Sequence, residues 1–370
     1  MKKILFSVFT LLTTIPILVG QITSPRKVQL VILFDTSNSM DGLIEQAKSR
    51  IWAIVNETTG LRHNGLVPYL EIAVYDYGNS GISAEKKYVR QQTGFTTDLD
   101  LISGKLFGLR TNGGEEYCGA AIQQSLNDLN WSTNSLDLKL IYIAGNEPFN
   151  QGPVDFKKVC EIASAKGIFV NTIYCGNFDQ GVNEFWKEGA TCSRGDYFNI
   201  NSNERIVQIA TPYDEKIKDL NYKLNGTYVT YGANGMQKKE MQATEDKNAL
   251  SQGFAVNSER TLVKSKSSYN NSTWDLVDAA KNDTTAISKM KEEELPTELK
   301  GKTTVEKELY VKEKTVERQK IQDEIGKLGK SREAYIQAEK AKNLDAKKTD
   351  DFGTAISKSL RAKAIAIGYE

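Results

Sequence analysis

Three oxygen-bearing side chains stand at alternating positions near the start of the chain. They are Asp35, Ser37 and Ser39, in the run Val28 to Met40, VQLVILFDTSNSM. One carboxylate and two hydroxyls at this spacing can face a single hard cation such as Mg²⁺, which takes oxygen ligands and keeps several waters. A second reading needs no metal: Asp, Ser and Thr also cap helices and shape turns. The elements on either side decide where the three residues stand. Val28 to Phe34 is a run of apolar, β-favouring residues, which suits a strand buried on both faces of a parallel sheet. Gly42 to Val55 carries Leu43, Ile44, Ala47, Ile51, Ile54 and Val55 on one side and is predicted to be a helix. The order is buried strand, polar loop, helix. In open α/β sheets, ligands sit in the crevice at the carboxyl ends of the strands.

VILFDTSNSM resembles the first strand and metal-site loop of von Willebrand factor A domains, which carry Asp-x-Ser-x-Ser at this place as a metal-ion-dependent adhesion site. The resemblance covers about residues 26–215. It implies a doubly wound, mostly parallel α/β sheet. The alternation of strands and helices in the sequence agrees. Strands are expected at Tyr69 to Tyr75, Lys87 to Arg90, Leu136 to Ala144, Gly167 to Cys175 and Tyr197 to Ile200. Helices are expected at Leu99 to Leu109, Ala120 to Leu129, Asp155 to Lys166, Asn183 to Gly189 and Asn203 to Ala210. A further helix is expected from Thr211-Pro212 to about Leu224. TNGGEEYCGAAI and IYIAGNEPFNQGPVDF also resemble a secreted bacterial branch of the family.

The resemblance implies two further loops for the metal site. Family members usually follow a glycine pair with Thr. Here Gly113 and Gly114 are followed by Glu115 and Glu116, and Glu115 matches best by position. The family also ends the strand equivalent to Leu136–Ala144 in Asp-Gly, but the matching position is Gly145. Asn146, Glu147 and Asp76 are nearby oxygen donors. The implied site is therefore a degenerate one, with Asp35, Ser37, Ser39 and Glu115 holding a divalent cation, Mg²⁺ first. In the family, a partner's carboxylate completes the cation's shell. An extra acidic group weakens that drive.

The chain has 370 residues, with 48 Lys and Arg against 47 Asp and Glu. That balance gives no electrostatic case for nucleic acid. Lys2 and Lys3 precede the apolar run ILFSVFTLLTTIPILVG, so residues 1–20 read as a secretory signal. Cleavage leaves no membrane span and an exported protein, periplasmic or extracellular. Export permits disulfides. Cys118, Cys160, Cys175 and Cys192 allow three full pairings, and none has zinc-finger spacing. The family fold implies Cys118 with Cys175.

Residues 216–300 read as a polar connector with helical segments around Glu240 to Leu250 and Trp274 to Ala280, anchored by Tyr269 and Trp274. Residues 301–370 read as a charged helical region. Gly326 and Gly329 interrupt Thr303 to Lys342, which suggests a helical hairpin or short bundle. Asp350 to Ile367 is expected as a last helix. Enzyme motifs are weak. Ser37 stands where phosphohydrolases of the haloacid dehalogenase class have a second Asp. The single histidine, His63, has no nucleophile-elbow motif to serve, and no Gly-Lys-Ser/Thr follows the glycine pair. The expectation is a non-enzymatic binding protein that docks a protein partner. The alternative is a metal-free assembly module acting through its helical tail.

Overall fold

The structure, a computed structural model, describes residues 25–41, 43–200, 209–342 and 351–370. Residues 1–20, expected as a secretory signal, and most of the helix expected at Asn203 to Ala210 lie outside the described residues. Six strands form one sheet in the order β3-β2-β1-β4-β5-β6. They are β1 (Lys27–Asp35), β2 (Tyr69–Tyr77), β3 (Val89–Thr96), β4 (Leu138–Gly145), β5 (Ile168–Tyr174) and β6 (Tyr197–Asn199). β3 runs antiparallel to β2, and every other pairing is parallel. Helices α1 (Ile44–Thr58), α2 (Leu99–Gly108), α3 (Cys118–Asp128), α4 (Phe156–Ala165), α5 (Phe178–Asn183) and α6 (Trp186–Thr191) connect the strands.

β1 shows why the sheet is wound on both faces. Side chains alternate across a strand. Leu30, Ile32 and Phe34 enter one core with Trp52 and Val55 of α1 and Ile102 and Leu106 of α2. Val31 and Leu33 enter the other core, with Ile122 of α3, Val159 of α4 and Trp186 of α6. An unbroken apolar run is what a strand covered on both sides requires. Side-chain caps mark helix starts: Asp98 accepts from Leu101 N at 2.9 Å, and Asp155 from Lys157 N at 3.0 Å, each satisfying an orphan amide.

Local backbone shifts two expected elements. Lys87 and Tyr88 adopt left-handed φ values of 53° and 54°, so the edge strand begins at Val89 and runs on to Thr96. Phe185, at φ 68°, divides the helix expected at Asn183 to Gly189 into α5 and α6.

The cysteine pairing is corrected. Cys160 is bonded to Cys192, while Cys118 and Cys175 are free and buried. Side-chain alternation gives the reason. Cys118 lies in the core on one face of the sheet and Cys175 in the core on the other. Cys160 and Cys192 belong to the same face.

The remainder is helical: α7 (Asp214–Asn225), α8 (Gly235–Ser251), α9 (Phe254–Lys264), α10 (Leu276–Asn282), α11 (Ala286–Lys289), α12 (Thr304–Lys342) and α13 (Asp351–Ala366). Residues 216–300, expected as a connector, pack as a helical layer on the α1–α2 side. α8 rests on α2, and α9 on α1. Leu220, Leu224, Val263, Ile321, Ile325, Ile356 and Leu360 share the core of β1 and α1. Tyr269 and Trp274 are buried, with Trp274 stacked on Tyr228 at 5.6 Å between ring centroids. Buried charges tie the layer down in matched sets. Arg260 of α9 reaches Asp100 of α2 and Asp246 of α8, both at 2.7 Å. Arg318 of α12 reaches Asp275 at 2.6 Å and Asp278 at 3.0 Å.

Thr304–Lys342 is one helix of 39 residues, about 58 Å long at 1.5 Å per residue. The expected hairpin does not form. Gly326 has open space where a side chain would be, and Gly329 has Leu262 of α9 pressed against its Cα. The second glycine admits a close neighbour without breaking the helix. The chain then closes on itself: α13 packs on α1, Glu370 and Arg62 exchange backbone hydrogen bonds of 2.7 and 3.0 Å, and the Tyr369 hydroxyl donates to Lys27 O at 2.7 Å.

Candidate functional site

β1 and β4 are neighbours, with β2 beyond one and β5 beyond the other, so the order of the sheet reverses between them. This is the switch point where open α/β sheets place ligands. Asp35 ends β1, Gly145 ends β4, and Tyr77 pairs with Asp35 in register on β2.

The Asp35 carboxylate is fully buried. Its Oδ1 accepts from Ser37 N at 2.8 Å, which closes the turn, and its Oδ2 is buried without a hydrogen-bond partner. A buried carboxylate oxygen left unpaired is costly. The group responds by holding its proton: burial pushes the Asp35 pKa up to about 7, Ser37 opposes the shift, and Glu116 and Glu147 add to it.

The hydroxyls form a chain along the loop. Ser37 Oγ and Ser39 Oγ stand 2.8 Å apart, Ser39 Oγ donates to Asn146 Oδ1 at 2.8 Å, and Asn146 Nδ2 donates to Ser39 O at 3.0 Å. Asn146 thereby joins the β4 loop to the β1 loop. The glycine-pair loop is held from below: Asn112 N donates to Thr36 O at 3.0 Å, and Gly114 packs on the carbonyl of Gly78 so closely that a Cβ would not fit.

The structure separates the two glutamates of that loop. Glu115 is exposed, and Glu116 is buried. A Cβ built on Gly78 would touch Asp35 Oδ1 at 2.8 Å and Glu116 Cγ at 2.9 Å, so the two carboxylate side chains flank the same bare glycine. Burial, then Glu147, pushes the Glu116 pKa up to about 7 as well. Position after the glycine pair favours Glu115, and nothing in the local pattern shows which of the two is buried. Only the direction in which the loop enters α3 does so.

The remaining donors are accounted for. Asp76 is held by Arg90 at 3.0 and 2.6 Å and by Gln92 at 2.9 Å, so its oxygens are spent on a guanidinium and an amide. Glu147 is raised by burial and by Glu184. At Gly145 a Cβ would lie 2.5 Å from the Tyr77 hydroxyl and 3.1 Å from both Asp35 Oδ2 and Trp186. Tyr77 and Trp186 thus fill the space where an aspartate would stand. Tyr77 donates to Ala144 O at 3.0 Å, and Trp186 to Glu147 O at 2.8 Å. His63 sits in a tight turn with its ring edge-on to Tyr369 at 6.0 Å.

Among the described residues no three Asp, Glu, His or Cys side chains converge as metal ligands. The set is two carboxylates and two hydroxyls, all oxygen. That chemistry suits a hard divalent cation, and the unpartnered Asp35 Oδ2 is the atom a cation would satisfy.

No protein-family model and no curated protein matches the chain. Solved structures similar to it include the SpRpn10 VWA domain, at 14% identity and TM-score 0.38 over 48% of this chain and 90% of that one. BatB from Bacteroides thetaiotaomicron is similar at 17% identity and TM-score 0.35, over 47% of this chain and 90% of that one. An aerotolerance-related membrane protein from Bacteroides fragilis is similar at 18% identity and TM-score 0.33, over 48% and 93%. By its strand order and its antiparallel edge strand, the stretch 27–199 has a von Willebrand factor A-like α/β fold.

Proposed function

We propose that this is an exported, non-enzymatic binding protein that docks a protein partner on the strand-end face, with a divalent cation, Mg²⁺ first, bracing the loops there. Asp35, Ser37, Ser39 and Glu116 would hold the cation, and Glu115 stays at the rim. The observation that carries the reading is a pair of buried carboxylates at the strand ends: Asp35 Oδ1 and Glu116 flank the same bare Gly78, and Asp35 Oδ2 has no hydrogen-bond partner. A cation would supply charge compensation: two carboxylates balance its two charges. A balanced cation has little drive to capture a partner's carboxylate. Its role is then to fix the β1, glycine-pair and β4 loops as a rigid docking surface, and the partner binds the exposed rim of Asn38, Ser39 and Glu115.

The metal-free alternative also has a specific observation in its favour. Tyr77 and Trp186 fill the place of the third anchor, and protons can neutralise two carboxylates that titrate near pH 7. Calorimetric titration of Mg²⁺, Mn²⁺ and Ca²⁺ into the chelator-treated full chain at pH 8 tests the two, beside Asp35→Ala and Glu116→Gln. Saturable binding that both variants lose supports the cation-braced face, and Glu115→Gln should leave it unchanged. Heat-silent titrations in every protein point to the metal-free module. Because metal and protons compete for the same oxygens, affinity should fall about tenfold for each displaced proton per pH unit below 7.

A further inference from the structure

The opposite end of the sheet carries a second concavity. A cavity of about 770 Å³ opens where β4 and β5 begin. Lys139, in its lining, stands six residues before Gly145 on β4, about 20 Å along the strand. Its size falls within the ordinary range for small-molecule sites. Three cations line it: Lys139, Lys166 and Arg194. Asp137 is the one acidic side chain in the lining, and Trp131 and Phe169 supply aromatic rings.

The charge of this wall is only partly compensated, with three cations against Asp137. Elsewhere the buried cations are matched: Arg260 and Lys264 with Asp246, Arg318 with Asp275, Arg332 with Asp214. Among the described residues none of the three cavity cations makes an ion pair. Lys139 Nζ donates to Ser132 O at 3.0 Å, and Lys166 Nζ to Leu126 O at 3.1 Å. The Arg194 guanidinium lies 5.4 Å from the centroid of the Phe169 ring. Asp137 spends its oxygens on Lys27 N at 2.9 Å and Ser132 Oγ at 2.6 Å. Lys139 is buried, and burial holds its ammonium below the ordinary lysine range, with Asp137 opposing the shift. A buried ammonium with two N–H bonds to spare is a group waiting for an acceptor.

Arg194 is also held in place. It sits in the left-handed region at φ 62°, two residues after the bonded Cys192. Its amide donates to Thr191 O at 3.0 Å, and that of Gly195 to Ala190 O at 2.9 Å. Left-handed backbone at a non-glycine residue is strained and persists where the surroundings impose it.

We propose that this cavity binds a small anionic ligand with a flat apolar body, such as an aromatic carboxylate or phosphate ester. The anion would meet Lys139, Lys166 and Arg194, and the flat body would lie among Trp131 and Phe169. The proposal is independent of the cation reading at the other end of the sheet.

Phenyl phosphate, inorganic phosphate and benzyl alcohol are the probes, each titrated into the full chain and followed by calorimetry and tryptophan fluorescence. Trp131 is half-exposed, whereas Trp52, Trp186 and Trp274 are buried, so Trp131→Phe identifies the reporter. Phenyl phosphate should saturate one site and change the fluorescence, and the change should vanish in Trp131→Phe. In Lys166→Gln/Arg194→Gln, whose side chains are at the rim and whose fold is checked by circular dichroism, affinity should fall at least about tenfold. Raised salt should weaken binding in the parent chain. Benzyl alcohol should not saturate. Equal phenyl phosphate affinity in the parent and the double variant overturns the proposal, as does failure to saturate at millimolar concentration. Inorganic phosphate binding as tightly as phenyl phosphate overturns the part played by the flat body.

Discussion

Asp35 is the residue on which the strand-end chemistry turns, and its pKa makes a signed prediction. In the chelator-treated protein its folded pKa is about 7, against 3.8 for the ordinary group. Between those values the folded chain holds more protons than the unfolded chain, so stability falls as pH rises through about 7. Glu116 adds to the same slope. Asp35→Asn is expected to flatten that dependence, leaving the share of Glu116, and to raise stability at pH 8. Urea midpoints at pH 5 and pH 8 measure it, and an unchanged slope in the variant would remove Asp35 from the account. If the proposed cation binds, saturating Mg²⁺ should reverse the trend, because it would compete with protons for the same carboxylates. Gly145→Asp is the second residue-scale case. It restores the aspartate of the family pattern in sequence, but the Tyr77 hydroxyl, Trp186 and Asp35 Oδ2 occupy the space. The variant is expected to lose about 3 kcal/mol or more and to gain no metal affinity. A stable variant with tighter Mg²⁺ binding would show that Tyr77 and Trp186 yield easily.

At the scale of elements, the two glycines of α12 make opposite predictions. Gly326 faces open space in the middle of a helix. Alanine there recovers helix propensity, so Gly326→Ala should stabilise by about 0.5–1 kcal/mol. Gly329 is where Leu262 of α9 approaches. Gly329→Ala gains the same propensity but forces the two helices apart, and should destabilise by about 1–3 kcal/mol. Thermal midpoints of the pair decide it: equal shifts would mean that α9 and α12 are not in close contact. The buried residues of α12, namely Val311, Arg318, Ile321, Ile325 and Arg332, follow one narrow seam. Two of the five are charged, so the seam is hard to see as an apolar pattern. α9 escaped the sequence reading for the same reason. Asn257, Ser258, Arg260, Thr261 and Lys264 are all on its buried side, and their partners come from α2, α7 and α8.

The whole molecule is held by charges that cross the boundary between the α/β unit and the helical layer. Asp100 on α2 takes both Arg260 at 2.7 Å and the Tyr269 hydroxyl at 2.6 Å. Asp100→Ala leaves a buried guanidinium short of a partner and should cost about 3–5 kcal/mol. Equilibrium unfolding should still be one transition, because the apolar core of β1 and α1 continues into α7, α9, α12 and α13. Two separate transitions would mean that the helical layer folds on its own. Truncation after residue 225 removes α8 to α13 from that core and should leave an aggregating chain rather than a free α/β domain.

Most local elements of the α/β unit were legible from the order of residues alone. Its central strands are written as unbroken apolar runs and its helices in period-3.6 patterns, both carried by neighbours in sequence. The apolar run of β1 ending at Asp35, and the loop carrying Ser37 and Ser39, were legible for that reason. Which face a side chain takes and which partner it meets were settled by packing between distant segments. The alternation of β5 sends Cys175 to the side of the sheet away from Cys118. The entry of the glycine loop into α3 buries Glu116 and exposes Glu115. Tyr77 and Trp186, from two other elements, close the space at Gly145. Leu262 turns Gly329 from a break into a contact. Each depends on a side chain supplied from a distant part of the chain, and no local pattern carries that information.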